Sequence, residues 1–236
     1  MPYYYYNSTG LLPVLLCALF ALWASHNVNS TFKKYAKQFS SRGITGAQAA
    51  QRVLSANGVY GVKIVKVAGN LTDHFDPQQN VIRLSDGVYD STSTAAIGVA
   101  CHEAGHAVQY AVGYAPIKLR AAIIPVTNFG TKLAWPLMLL GIVLSSMSYA
   151  FYNLVYVGIA CFSLSLVFQL ITLPVEFNAS RRAMTAIREG NILTDEELVG
   201  ARKTLTAAAL TYVAAVATSL VQLLRLIAIY GRRRRD

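Results

Sequence analysis

The pentapeptide His102-Glu-Ala-Gly-His106 sets two imidazoles four positions apart, with a carboxylate directly after the first. On an α-helix of 3.6 residues per turn, His102 and His106 leave the same face about one turn apart. Their ring nitrogens can then hold a single divalent ion. Glu103 is displaced around the helix from that pair, so its carboxylate reaches a water beside the ion rather than the ion itself. Hydrolysis of a peptide bond needs such a set, because the amide carbonyl is a poor electrophile and neutral water a poor nucleophile at neutral pH. Zinc with three protein ligands and one open position addresses both, and Glu103 can carry the proton from water to the leaving amine. Gly105 leaves room for another backbone or side chain to come close. Two core histidines beside an idle helical glutamate would be the bland alternative. It is disfavoured because half of the 4 histidines fall in this pentapeptide, and because an ionised Glu103 on a face of Ala, Val and Ile would be costly without a partner.

A third ligand must come from elsewhere. His74, His26 and the acidic residues downstream are candidates. Glu176 stands out among them, since it opens a polar stretch directly after an apolar one, and Glu176-Phe-Asn-Ala-Ser180 reads as a ligand helix. His74 can instead sit in the cleft and hydrogen-bond the substrate or a tetrahedral intermediate. Tyr212, in a segment that also carries Thr211, Ser219, Gln222 and Arg225, is a candidate oxyanion donor; hydrogen bonding between packed helices is the plainer explanation of that polarity.

The elements that must position these residues follow from pattern. Helical character runs from Thr94 to about Val112, with Ser91, Ser93 and Thr94 as caps and Gly113 with Pro116 as the stop. Upstream, Thr45 to Asn57 predicts an amphipathic helix with Ala49, Val53 and Leu54 on one side. Gly61 to Val67 and Asn80 to Leu84 alternate as short strands, with Asp73-His-Phe-Asp-Pro77 between them as a turn.

With 54% hydrophobic and 14% charged residues, the composition is that of a membrane protein. Charges are absent from Met1 through Phe32, Leu133 through Val175 and Thr204 through Leu224, and each gap can hold a span of roughly 20 residues. Leu133 to Tyr149 and Leu154 to Leu173 predict a transmembrane hairpin turning at Ser148 to Asn153, and Leu205 to Tyr230 is long enough to span again. The net charge of +10 does not form a nucleic-acid stripe, because the basic residues flank the apolar segments: Lys33, Lys34 and Lys37, then Lys118, Arg120 and Lys132, then Arg181, Arg182 and Arg188, then Arg202 and Lys203, then Arg232 to Arg235. No positive charge precedes Leu11 to Ala24, so this stretch reads as an anchor rather than a cleaved leader, with Tyr3 to Tyr6 and Trp23 at the two interfaces. The charge bias places the N-terminus outside and residues 28 onward inside. A full fourth crossing would then put Arg232 to Arg235 outside, against that bias. Cys17, Cys101 and Cys161 have no spacing of a disulfide framework or a cysteine zinc site.

Four stretches carry a resemblance: Gly69-Asn-Leu-Thr-Asp-His-Phe-Asp-Pro77, Ala96-Ile-Gly-Val-Ala-Cys-His-Glu-Ala-Gly-His-Ala-Val-Gln109, Thr172-Leu-Pro-Val-Glu-Phe-Asn-Ala-Ser-Arg-Arg-Ala183 and Ala207-Ala-Ala-Leu-Thr-Tyr-Val213. From about Tyr35 to Ile227 the chain resembles the YugP-type neutral zinc metallopeptidases of bacterial membranes. Its layout is also similar to that of membrane gluzincins, in which HExxH is followed by a transmembrane hairpin and then a glutamate ligand. The resemblance implies His102, His106 and Glu176 as metal ligands and Glu103 as base. Many relatives carry an Asp shortly after the ligand Glu, where this chain has Asn178 and Ser180.

The expectation is a mainly α, integral-membrane chain with about four transmembrane helices and a small α+β catalytic subdomain of zincin type. It divides into an N-terminal anchor over 1–27, a catalytic subdomain over 28–120, a transmembrane hairpin over 121–175, a third-ligand segment over 176–203 and a C-terminal apolar helix with its basic tail over 204–236. The expected activity is zinc-dependent endopeptidase action on peptides or membrane proteins, in a bacterial inner membrane with the site facing the cytoplasm. The partners expected are that substrate and the lipid bilayer, with no nucleic acid. A zinc-binding, non-proteolytic scaffold or assembly factor is the alternative. A protease that cuts within the bilayer fits less well, because Asp86, Asp90 and Lys118 make the ends of the His102 helix too polar for a span.

Overall fold

The computed structural model describes the backbone of residues 2–230 and the side chains of residues 10–230. The expectations for Tyr3 to Tyr6 and for Arg232 to Arg235 therefore lie outside the described side chains. The elements are α1 (Pro2–Tyr35), α2 (Gly46–Ala56), β1 (Lys63–Val67), β2 (His74–Asp76), β3 (Val81–Ser85), α3 (Asp86–Tyr89), α4 (Thr94–Ala111), α5 (Ala115–Leu144), a 3₁₀ turn (Tyr149–Tyr152), α6 (Asn153–Glu189) and α7 (Asp195–Tyr230). Among the described residues the chain is mainly α with one small sheet, and four helices are long and apolar enough to cross a membrane.

These elements form two compact units. One comprises Met1–Trp23, Leu119–Leu173 and Tyr212–Asp236, and the other Ala24–Lys118 and Pro174–Thr211. In the first, Ala134, Met138, Tyr152, Val155, Ile159, Phe162 and Leu226 make a buried cluster. Tyr152 satisfies its hydroxyl by donating to the carbonyl of Tyr230 at 3.2 Å. Leu12, Leu16, Leu19, Trp135 and Leu139 remain exposed, as expected of side chains that meet lipid tails rather than water.

The second unit has an interior of the water-soluble kind. Val53 and Leu54 of α2, Ile82 and Leu84 of β3, Ile97, Ala100 and Val108 of α4, and Ile187 and Ile192 share one buried cluster. Thr45 starts α2 through a capping box with Gln48, and Asn57 ends it. The sheet order is β1-β3-β2. β1 runs parallel to β3 with Lys63 opposite Val81 and Val67 opposite Ser85. β2 runs antiparallel to β3 with His74 opposite Arg83 and Asp76 opposite Val81. α7 opens with Thr194 and Glu197 capping each other's backbone, and Glu197 also accepts from the Ser41 N–H at 2.6 Å.

One local expectation is corrected, and the polarity-based segments meet within continuous helices. The stretch from Asp73 to Pro77 is not simply a turn, because its middle three residues are strand β2. The turn chemistry of its aspartates is displaced: Asp76 accepts from the N–H groups of Gln78 and Gln79, and Arg83 holds its carboxyl below the usual carboxylate range. The boundaries placed between 175 and 176 and between 203 and 204 are changes of polarity, not of backbone. α6 runs on through Pro174 to Glu189, and α7 is continuous from Asp195 to Tyr230.

Candidate metal centre

α4 carries the pentapeptide. Ser93 caps it by accepting from the Ala96 N–H at 3.3 Å, and its Ala and Gly residues let neighbouring helices approach closely. A Cβ on Gly105 would stand 2.8 Å from the carbonyl oxygen of Ala179 on α6. At Gly98 it would stand 3.2 Å from the Cα of Ala201 on α7. The close contact at Gly105 brings the segment from Glu176 to Ser180 alongside His102 and His106.

The resulting geometry is specific. Glu176 Oε2 lies 3.1 Å from His102 Nε2 and 3.5 Å from His106 Nε2. The three residues can offer ligand atoms that all lie within 4.8 Å of one another. Around a tetrahedral zinc with bonds of about 2.0–2.2 Å, neighbouring ligand atoms stand about 3.3 Å apart, so the observed spacing fits that ion. The imidazole rings are 4.7 Å apart between centroids and inclined at 83°, and both turn Nε2 toward Glu176 Oε2. Glu176 is only 3% exposed; a carboxylate so withdrawn from water needs cationic or hydrogen-bonding partners.

The nitrogens turned away from that point are engaged too. His102 Nδ1 lies 3.1 Å from Ser180 Oγ, and His106 Nδ1 lies 3.0 Å from Gln109 Oε1. Glu103, next in sequence to His102, is buried. Burial disfavours an imidazolium at His106, yet the carboxylates of Glu176 and Glu103 beside it outweigh that and raise its pKa. The cluster thus attracts positive charge.

Among the expected site residues, His102, His106, Glu176 and Glu103 come together in the second unit. His74 sits exposed on β2 with its Nδ1 2.8 Å from the Thr72 carbonyl, outside the three-residue cluster. Its neighbour Asp73 is the residue that approaches Glu103 closely enough for the two carboxylates to repel. Asp73 spends both oxygens on Ser85, accepting from the backbone N–H at 2.7 Å and from the hydroxyl at 2.9 Å. Burial nonetheless pushes its carboxyl above the usual range. His26 is exposed on α1 and also outside the cluster. Tyr212, on α7, belongs to the other compact unit. Gln109 and Asp73 were missed as site residues. No local pattern marks Gln109, whose partners Val175 and Asn178 are distant in sequence.

Comparison with known proteins agrees with this picture. A family model described as "Putative neutral zinc metallopeptidase" matches residues 11–231. The chain is 48% identical over 210 residues to the "Putative membrane protease YugP" of Bacillus subtilis, covering 89% of this chain and 91% of that one. No solved structure matches the chain. With a model match over residues 11–231 and a relative aligned over 89% of the chain, the chain belongs to the family described as "Putative neutral zinc metallopeptidase".

Proposed function

We propose that the chain is a membrane-bound endopeptidase in which His102, His106 and Glu176 hold zinc and Glu103 is the general base. The convergence of both histidine Nε2 atoms on Glu176 Oε2, at 3.1 and 3.5 Å, carries this reading. Bound zinc would supply Lewis acidity, polarising a peptide carbonyl and making water nucleophilic near neutral pH. Glu103 takes the proton from the attacking water at its carboxylate and returns it to the departing amine. Its burial keeps competing solvent from that proton. Asp73 stands beside Glu103 without joining the three-residue cluster.

His74 is proposed to serve the substrate oxygen as a hydrogen-bond donor. With Nδ1–H given to the Thr72 carbonyl, His74 can offer a donor at Nε2 only as imidazolium. The substrates proposed are exposed segments of membrane proteins at the cytoplasmic face. Glu176 follows the apolar run 154–173 in the same helix, and lysines and arginines gather beside the apolar segments.

The deciding experiment measures bound metal and cleavage of an unfolded protein such as casein, using the detergent-purified chain and Glu103→Gln. Retained zinc with lost cleavage supports the reading. Equal behaviour of the two proteins would instead favour a zinc-binding scaffold.

A further inference from the structure

The geometry points to Gln109 as a positioning residue that locks His106 in the tautomer able to bind metal, through a hydrogen-bond chain whose direction is set at Arg182. This rests on the metal-centre reading above. A neutral histidine carries its proton on one nitrogen only, and His106 can offer a lone pair at Nε2 only if Nδ1 holds the hydrogen. Which nitrogen is protonated depends on what faces Nδ1, and here that is the side-chain amide of Gln109. An amide can present either its oxygen or its NH₂ group, so its own orientation must be fixed by something else.

Three partners fix it. The Val175 carbonyl, 2.8 Å from Gln109 Nε2, can only accept. Asn178 Oδ1, 3.0 Å from the same nitrogen, also takes the Nε–H of Arg182 at 2.8 Å. A guanidinium has no acceptor, so Arg182 commits Asn178 to presenting its oxygen. Gln109 must then turn its NH₂ toward Asn178 and Val175, which leaves Oε1 facing His106. Turning the amide over would set oxygen against oxygen at both contacts and strand two buried hydrogen bonds. Gln109 is 0% exposed, so no bulk water could repair that loss. His106 therefore donates from Nδ1 and keeps the lone pair of Nε2, the nitrogen 3.5 Å from Glu176 Oε2, for a metal.

The chain of bonds separates two effects that a merely structural glutamine would keep together. Gln109→Leu removes the acceptor for His106 as well as both donors. Gln109→Glu keeps an acceptor for His106 and removes both donors. The test measures two quantities on the full-length protein in detergent: zinc affinity by competition with a chelator of known strength, and the unfolding midpoint of the metal-stripped protein. Both variants should unfold at lower temperature than wild type. Zinc affinity should fall about 10- to 100-fold in Gln109→Leu and stay near or above the wild-type value in Gln109→Glu. Affinity within about threefold of wild type in Gln109→Leu, or an equal loss in both variants, would overturn the inference while leaving the metal centre standing. A wild-type protein that takes up no zinc would overturn the centre itself, and the inference with it.

Discussion

His102 Nδ1 faces Ser180 Oγ at 3.1 Å, one helical turn after the Glu176 carboxylate that His102 Nε2 meets at 3.1 Å. α6 thus touches the same imidazole twice, once at each nitrogen. A serine hydroxyl is a neutral acceptor here, so it orients the ring without adding the negative charge that an aspartate would bring. Ser180→Ala should leave the fold intact and weaken zinc binding by about tenfold, and Ser180→Asp should strengthen it beyond wild type, because a charge-assisted bond makes the imidazole a better ligand. Chelator competition on the three proteins checks the order. Equal affinities would show that the hydroxyl contact has no hold on the ring.

Glu176 is the ligand whose loss should be felt in stability as well as binding. Zinc that binds only the folded chain raises its stability by mass action, by about 2.7 kcal/mol at a hundredfold excess over Kd. Thermal unfolding of the metal-stripped wild type should therefore shift upward as zinc is added. Glu176→Ala should show little shift over the same range, because two imidazoles alone bind the ion weakly. A full shift in the variant would remove Glu176 from the ligand set.

Much of the centre was legible in the sequence because HExxH is a local device: helical geometry alone puts His102 and His106 on one face. Glu176 was legible through the change of polarity behind an apolar run. Gln109 was not, since its partners Val175 and Asn178 lie 66 and 69 positions away and no local pattern announces a tertiary hydrogen bond. β2 was hidden by its aspartates: Asp76 accepts from Gln78 and Gln79 as a turn residue would, yet it also pairs with Val81 of β3. The segment boundaries drawn near 175 and 203 follow polarity alone. Polarity changes where a helix leaves an apolar environment, but the backbone hydrogen bonds that define a helix do not depend on it. At Pro174 the proline removes a single donor, and α6 continues past it.

Asp73 makes a prediction about pH. Burial raises its carboxyl above the usual range against the two bonds from Ser85, and the charge of Glu103 adds to the shift. A carboxyl whose folded pKa exceeds its unfolded value contributes stability that is fully present below the unfolded pKa. That contribution is lost as pH rises through the folded one. At neutral pH the ionised Asp73 is thus a cost to the fold. Asp73→Asn can still accept from the Ser85 N–H, so it should unfold at a higher temperature than wild type at pH 7. The gap should close as pH falls toward the carboxylate range. Unfolding midpoints across pH check this, and a gap that widened on acidification would contradict the assignment.

The close approach of α4 to α6 at Gly105 gives the most local prediction. Gly105 lies between the base and the second histidine, and a methyl group there would come within 2.8 Å of the Ala179 carbonyl oxygen. Neither helix can yield at that point without moving a ligand, since Ala179 stands between Glu176 and Ser180. Overpacking of this kind costs about 1–3 kcal/mol. Gly105→Ala should therefore lower the unfolding midpoint of the metal-stripped protein and also weaken zinc binding, by pushing Glu176 Oε2 away from the two Nε2 atoms. Gly98→Ala, on the same helix but facing Ala201, meets a looser contact of 3.2 Å. It should cost less stability and spare zinc affinity, because no ligand lies on the α7 side. Paired measurements of unfolding and chelator competition separate the two variants, and an equal loss of zinc affinity in both would show that the Gly105 contact does not set the position of Glu176.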